Sequence, residues 1–534
     1  MTDKVKITVD GKQVEVPKGQ NLIEAAKTAG VDIPHFCYHS HLSVAGNCRM
    51  CLIEVENARG LPIACNTQAA EGMIVKTSTE KIIEARAAVM EFLLVNHPID
   101  CPVCDQAGEC KLQIYYMEHD RRDSVIPLEA KVEKGKAIEV GPRVMLDQER
   151  CVACSRCVRF CDEVTHTGEL RLMNRGDHTT IDTFPGRKLD NNYSVNTADI
   201  CPVGALTQRD FRFQARVWFM KDQETICPGC STGCNVKLSY YHRYPLEDYN
   251  GQAFRIRPRV NDTVNKAWMC DFGRSEYKRV NEERVKQPYA NGIEVGWDGA
   301  LAQARNLLSA ARAHGGVAGI ASYDCTNEEI WFFKKLMRVV FGQDQIAVLP
   351  RRADGFRDEI LIDADKHPNR RGTKAVAGNA MVVDPAAYLA GKGAVIVLDA
   401  DPLNSMHSEA LKRAFAAVKS KIVLASQESE ASHVAAVVFP TASFAEKEGT
   451  WTNRKGHIQR LHRGLRTHHD MKSDLEVIGM LADAFGQPIG TTSAADVFTA
   501  LAAEVGDFSG LTWSAVGKLG RPSASPALQG GAKS

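Results

Sequence analysis

The chain contains no run of about 18 apolar residues, so a membrane-spanning helix is not expected. The opening Met1-Thr2-Asp3-Lys4-Val5-Lys6-Ile7-Thr8-Val9 lacks the apolar core of a secretory signal, which predicts a protein that stays in the cytosol or docks peripherally on a membrane complex. Charge of one sign is also missing. The 66 Lys and Arg face 65 Asp and Glu, net +1, which argues against a nucleic-acid binder held by a basic surface. No flavin or nicotinamide fingerprint stands out: Asp399-Ala400-Asp401-Pro402 follows a strand pattern but lacks a G-x-G-x-x-G loop. There is no internal repeat. Cysteine nearly vanishes from the last 264 residues, where Cys325 stands alone.

That scarcity sets off what precedes it. Sixteen of the seventeen cysteines lie before residue 271, and fifteen of these sort into four groups. Cys37, Cys48, Cys51 and Cys65 form the first. His97 with Cys101, Cys104 and Cys110 forms the second. Cys151, Cys154, Cys157 and Cys201 form the third, and Cys227, Cys230, Cys234 and Cys270 the fourth. In a reducing cytosol, clustered thiols are more often metal ligands than disulfides. Four sets of four ligands in one chain suggest redox centres in series, and so a conductor of electrons.

The first spacing, C-x10-C-x2-C-x13-C, suits one [2Fe–2S] centre, with Gly46 letting backbone pass close to sulfur; a structural zinc site is the alternative. The second, H-x3-C-x2-C-x5-C, equally describes a structural zinc site when taken alone. Its three cluster-like neighbours tilt it towards a [4Fe–4S] centre with one His ligand. The third is the most specific: Cys151-x2-Cys154-x2-Cys157 is the bacterial ferredoxin run, and Cys201-Pro202 supplies the Cys-Pro closure. Cys161 completes a literal C-x2-C-x2-C-x3-C but lacks the following Pro. It is read as a spare thiol, the alternatives being that it replaces Cys201 or serves a further cluster. Zinc is again the bland reading. The fourth spacing, C-x2-C-x3-C-x35-C, bent by Pro228, Gly229 and Gly233, is a cluster site or a zinc ribbon.

At 534 residues the chain is too long for one core. Residues 4–16 read as a hairpin turning at Asp10-Gly11, and Asn21 as the cap of a helix that stops at Gly30. These open a β-grasp ferredoxin-type domain. Residues 79–96 carry helical spacing and would deliver His97 to the second site. Residues 122–140, charged and holding Pro127 and Gly135, suit a connector. Beyond Cys270, helix candidates at 300–313 and 328–341 alternate with strand runs at 317–322, 394–398, 422–425 and 434–439, implying an α/β domain with a mainly parallel sheet. The last residues, rich in Gly, Ser, Ala and Pro, read as a disordered tail.

The segments Phe36-Cys37-Tyr38, Gly46-Asn47-Cys48-Arg49-Met50-Cys51, Asn96-His97-Pro98-Ile99-Asp100-Cys101-Pro102 and Cys110-Lys111-Leu112-Gln113 resemble the largest peripheral-arm subunit family of bacterial respiratory complex I, the G chains of NADH–quinone oxidoreductase. The likeness is specific through about residue 275. The remainder resembles a shortened molybdopterin-oxidoreductase domain, through Thr326-Asn327-Glu328-Glu329 and Glu446-Lys447-Glu448-Gly449-Thr450-Trp451-Thr452-Asn453.

The resemblance implies a multidomain α+β and α/β chain. Its expected parts are a [2Fe–2S] β-grasp domain at 1–78, a helical one-His/three-Cys domain at 79–121 and a [4Fe–4S] ferredoxin-like domain at 122–218. A molybdopterin-oxidoreductase-type [4Fe–4S] domain at 219–276, a degenerate α/β domain at 277–519 and a tail at 520–534 complete it. It implies one [2Fe–2S] and three [4Fe–4S] clusters, with the fourth group off the main relay. It further implies a flavin-bearing, NADH-oxidising partner and other iron–sulfur partners, a place on the cytoplasmic side of the bacterial inner membrane, and delivery of electrons towards quinone. Asp271-Phe272-Gly273-Arg274 stands where active molybdenum enzymes usually carry a Lys, and Cys325 lies too early to bind the metal. No molybdopterin is therefore expected, and Cys325 is read as a packed core thiol. The rivals are an iron-only hydrogenase, which would need further cysteine motifs after Cys270, and an NAD-linked formate dehydrogenase, which would need a full cofactor domain. A third is a zinc-stabilised scaffold without redox function.

Overall fold

The computed structural model describes residues 3–120, 123–242, 251–466 and 471–524. The chain divides into two compact units, Met1–Trp218 and Phe219–Ser534.

The first unit opens with the expected hairpin. Lys4–Val9 pairs antiparallel with Lys12–Pro17. Asp10 and Gly11 both take positive φ, 45° and 80°, as a tight two-residue turn matched to strand twist requires. Val5, Ile7 and Val9 are buried on one face, and Lys4–Val9 also pairs in parallel with Ile74–Lys76. Leu22–Thr28 is a helix whose N-cap, Asn21, accepts the amide of Glu24 at 3.1 Å. This is the β-grasp arrangement.

The helix Glu80–Leu94 follows, ending three residues before His97. Its last carbonyls are not left to solvent. Lys131 Nζ donates to the carbonyls of Leu94, Val95 and His97 at 3.0, 2.8 and 2.9 Å. The segment expected to be a mere connector thus fixes the backbone of a candidate ligand. Val144–Leu146 pairs antiparallel with Leu206–Gln208, which draws the Cys151–Cys157 loop and the Cys201 loop together.

In the second unit, Met220–Ile226, Asn235–Tyr241 and Ala253–Pro258 form a three-stranded antiparallel sheet. A seven-stranded sheet follows, in the order Ile293–Glu294, Tyr289–Ala290, Val437–Pro440, Ser420–Ala425, Ala394–Leu398, Val317–Ser322, Ala347–Leu349. Its last five strands are parallel. Ala394, Ile396 and Leu398 face one apolar core, while Val395 and Val397 face another. Covering on both faces is why this strand is a continuous apolar run.

The strand expected at 434–439 begins only at Val437. Ser429 caps a helical turn at Glu430–His433 instead, and Val434 is exposed. Of the expected tail, Arg521–Pro522 pairs with His457 and Ile458, and residues 525–534 lie outside the described residues.

Candidate metal centres

All seventeen cysteines are free of disulfides. In the first group the thiols fall into two hydrogen-bonded pairs. Cys48 bonds to Cys37, holding Cys37 down to about 5 and pushing its own thiol up; Cys65 does the same to Cys51. Two thiols per pair and two pairs per loop is the donor set two adjacent metal ions need. The spacing did not disclose this pairing. Gly46 has φ +64°, but an added Cβ there would meet Ile63 at 3.1 Å rather than a sulfur. Left-handed backbone, not approach to sulfur, is what requires glycine at this position.

In the second group His97, Cys101 and Cys110 line a cavity of about 340 Å³ whose other walls include Leu94, Leu112 and Tyr116. Burial lowers the His97 imidazole to about 4, so it is neutral with a lone pair available to a metal. Cys110 is the N-cap of helix Lys111–His119, and the backbone of Gln113 and Leu112 favours its thiolate. Burial nonetheless raises its thiol to about 11. Cys104 lies buried beneath Gly204, where a Cβ would stand 2.3 Å from its Sγ. Gly204 belongs to the Cys201 loop, and Lys111 N–H donates to Pro202 O at 2.9 Å. The second and third groups therefore share a wall.

In the third group burial raises Cys151 to about 12 and Cys154 to about 11, with neighbouring thiols adding to the shift; Cys157 and Cys201 are raised too. Buried thiols that raise one another's pKa hold their negative charges together only around a cation, which is the chemistry of a metal-binding set. Cys161 is fully buried in helix Arg156–Glu163. Apart from burial, its thiol feels Glu169, Asp162 and Arg171 and the backbone of Leu170.

The fourth group is buried throughout. Gly229 N–H donates to Cys227 Sγ and Gly273 N–H to Cys270 Sγ, each at 3.4 Å. Burial, with the companion thiols second, raises Cys227, Cys234 and Cys270.

A single zinc ion ringed by thiolates at about 2.3 Å needs sulfurs about 3.8 Å apart. Among the described residues, the one set of three or more ligand atoms that all lie within 4.8 Å of one another is Asp354, Asp365 and His367. No cysteine group contracts that far. The Asp354 set already holds a cation: Arg370 bonds Asp354 at 2.6 Å and Asp365 at 2.9 Å.

The two segments that resemble a molybdopterin domain pack on each other. Glu328 accepts Thr450 N–H and Oγ1–H, both at 2.7 Å, and Lys447 pairs with Glu329 at 2.7 Å and Asp474 at 2.9 Å. Ligands of such sheets bind beyond the carboxyl ends of the strands. There, among Asp324, Asp399, Ser426, Ser443 and Lys447, the cavity measures about 20 Å³. Its charges are satisfied internally, Asp399 by Arg351 at 2.8 Å and Asp324 by Arg352 at 3.4 Å. A pterin cofactor does not fit this space. Cys325 is fully buried and bonds to Leu398 O at 3.7 Å, in the core.

Family models match in the same order as the groups. Residues 2–80 match a 2Fe-2S iron-sulfur cluster binding domain. Residues 86–124 match the NADH-ubiquinone oxidoreductase-G iron-sulfur binding region, and residues 141–207 the ferredoxin-like domain of NADH-quinone oxidoreductase subunit 3. Residues 220–282 match a molybdopterin oxidoreductase Fe4S4 domain, and residues 366–484 molybdopterin oxidoreductase. The chain thus carries both 2Fe–2S- and 4Fe–4S-binding domains.

Similar proteins include the G chain of NADH-quinone oxidoreductase from Rickettsia typhi, 34% identical over 62% of this chain and 48% of that protein. The mitochondrial NADH dehydrogenase [ubiquinone] iron-sulfur protein 1 of Solanum tuberosum is 39% identical over 63% and 45%. The NADH-ubiquinone oxidoreductase 75 kDa subunit of Reclinomonas americana is 35% identical over 68% and 53%. The chain spans about half the length of these curated relatives. Across its succession of iron–sulfur modules it is a relative of the G chains of NADH-quinone oxidoreductase.

Proposed function

We propose that the chain is an electron-transfer subunit of an NADH:quinone oxidoreductase peripheral arm. Cys37, Cys48, Cys51 and Cys65 would hold a [2Fe–2S] cluster. His97 with Cys101, Cys104 and Cys110, the quartet Cys151, Cys154, Cys157 and Cys201, and the quartet Cys227, Cys230, Cys234 and Cys270 would each hold a [4Fe–4S] cluster. The observation that carries this reading is a single apolar cluster containing Cys37, Cys110 and Cys154, with Cys48, Cys151 and Cys201 packed against it. Three ligand groups built into one dry core are arranged for passing single electrons between them, which is the chemistry such clusters supply when bound.

The residues of the chain do the rest. Amide donors such as Ala153 N–H to Cys151 Sγ, at 3.4 Å, stabilise negative charge on sulfur. Apolar walls exclude water, and neutral His97 in place of a thiolate removes one negative charge from its site. Hydride removal from NADH belongs on a flavin-bearing partner, and other iron–sulfur subunits would take the electrons on towards quinone. No helix among the described residues is long and apolar enough to cross a membrane. The likeness to NADH-quinone oxidoreductase G chains supports a peripheral place, which we assign to the cytoplasmic side of the inner membrane. The fourth group lies in the second unit and is assigned a structural cluster off the relay.

The matches to 2Fe-2S and Fe4S4 domain families favour polynuclear clusters over the zinc scaffold. Anaerobic purification followed by metal analysis and a reductive titration read by electron paramagnetic resonance tests the proposal. The expected result is about fourteen irons per chain and signals of both cluster types. A colourless preparation holding mainly zinc would sink it.

A further inference from the structure

We infer that Arg159, seconded by Arg156, is a positioning residue that serves the first and third cysteine groups at once, tying their loops together and setting the potentials of both centres. The inference rests on the iron–sulfur reading above. It comes from one face of helix Arg156–Glu163, where Arg156, Arg159 and Glu163 recur at helical spacing and all grip the first group's loop.

Arg159 donates from Nη1 to Ser43 O and from Nη2 to Cys37 O, and Nη2 also reaches Cys154 O at 3.4 Å. Its Nε is held by Ser155 Oγ at 3.2 Å. Arg156 donates from Nη2 to Tyr38 O and from Nη1 to Ile200 O at 3.0 Å, so it too joins a residue beside Cys37 to one beside Cys201. Glu163 accepts Ser43 N–H at 2.8 Å and its hydroxyl at 2.5 Å. Asn47 Nδ2 adds a bond to Ala153 O at 3.2 Å. The planar guanidinium is suited to this work because its donors fan out in a fixed fork that reaches several carbonyls together.

Neither arginine forms an ion pair among the described residues, and the charges nearest Arg156 include Cys154, Cys201 and Cys37. Two half-buried cations therefore lie against both thiol sets, Arg159 favouring the thiolate of Cys37 and both arginines that of Cys154. Positive charge stabilises the reduced, more negative form of a centre and raises its potential. Because the same guanidinium touches the backbone of both groups, the two potentials should move together.

The test is an anaerobic redox titration of the full chain followed by low-temperature electron paramagnetic resonance, comparing the parent with Arg159→Gln and Arg159→Lys. The expected result is a downward shift of the midpoint potentials of both the first and third centres in Arg159→Gln. The second and fourth should hold at parental values, and Arg159→Lys, which restores the charge, should recover most of the shift. Parental potentials in Arg159→Gln would overturn the inference, as would an equal shift in Arg159→Lys. Should Arg159→Gln fail to load clusters, Arg156→Gln carries the test, with the same two centres expected to move and unmoved potentials again fatal. A parent chain without iron signals would defeat the iron–sulfur reading itself; parental signals with unshifted variants would defeat only this inference.

Discussion

Arg150 donates two hydrogen bonds to Asp100, from Nε at 2.9 Å and Nη2 at 2.5 Å, and each residue immediately precedes a candidate ligand, Cys151 and Cys101 respectively. The pair ties the entry of the second site to that of the third. Burial opposes both charges, but the bond to Arg150 holds the Asp100 carboxyl below its usual range. Lys136 approaches Asp100 at 3.6 Å and Glu149 at 2.5 Å, completing the network. Asp100→Asn should cost about 1–2 kcal/mol, a modest figure because Asp100 is partly exposed and Arg150 keeps Asp147 at 3.4 Å. Its expected signature is a lower thermal midpoint with preferential loss of the second centre's signal. An unchanged midpoint and iron content would show that the pair does not hold the two sites.

Gly204 makes a second, steric link between the same groups. With the Cβ position 2.3 Å from Cys104 Sγ, Gly204→Ala must displace either the Cys201 loop or Cys104. Overpacking of this kind costs about 1–3 kcal/mol. Although residue 204 lies in the third group's loop, the second centre should show the altered resonance spectrum. A change confined to the third centre would place the strain elsewhere.

These links explain what the sequence could and could not disclose. Local physics was legible. Asp10-Gly11 specifies its turn through two positive φ values, Asn21 caps its helix, and Ala394–Leu398 declares a doubly covered strand by unbroken apolarity. The candidate ligand groups stand out in the sequence because metal chemistry demands soft side chains at short spacing. Long-range polar contacts were silent. The bond from Arg159 to Cys37 O spans 122 residues, and a surface helix with two arginines looks the same in sequence whether it faces water or another loop. Lys131 sat in a charged stretch with nothing to mark it as the partner of the His97 carbonyl. The apolarity of Val434 fits a strand, whereas Ser429 uses the chain there to cap a helical turn.

His97→Cys should keep a cluster in the second site and lower its potential by roughly 100 mV or more, because a thiolate brings a negative charge that the neutral imidazole lacks. The half-buried His97 ring, its pKa lowered to about 4, shares its cavity with Cys101 and Cys110. Potentiometric titration of the variant would retire the ligand assignment if every centre kept its parental value.

Cys161→Ala should leave all cluster signals in place. The thiol is buried, and besides burial the chief influence raising it is the carboxylate of Glu169, whereas for Cys151 and Cys154 it is the companion thiol Cys201. The substitution should cost about 1 kcal/mol of packing, since it deletes one buried sulfur from a helix interior. Loss of the third centre's resonance would instead make Cys161 a ligand.

Glu328 gives the second unit a pH dependence whose sign can be worked out. Burial raises its carboxyl from 4.5 to about 7, against the opposing bonds from Thr450. Between those values the folded state holds a proton that the unfolded state has released, so this group's contribution to stability declines as pH rises from about 4.5 to 7 and is spent above that. Gln has nearly the same shape and cannot ionise; its carbonyl can accept Thr450 N–H as the carboxylate does at 2.7 Å. Glu328→Gln should therefore change little at pH 5 and gain on the parent as pH rises to 8, by a difference on the order of 1–3 kcal/mol. Thermal unfolding of the two chains side by side across that range measures the difference directly. A gap between their midpoints that stayed constant with pH would mean that Glu328 is already ionised in the folded chain at pH 5, held by Thr450 more firmly than burial opposes it.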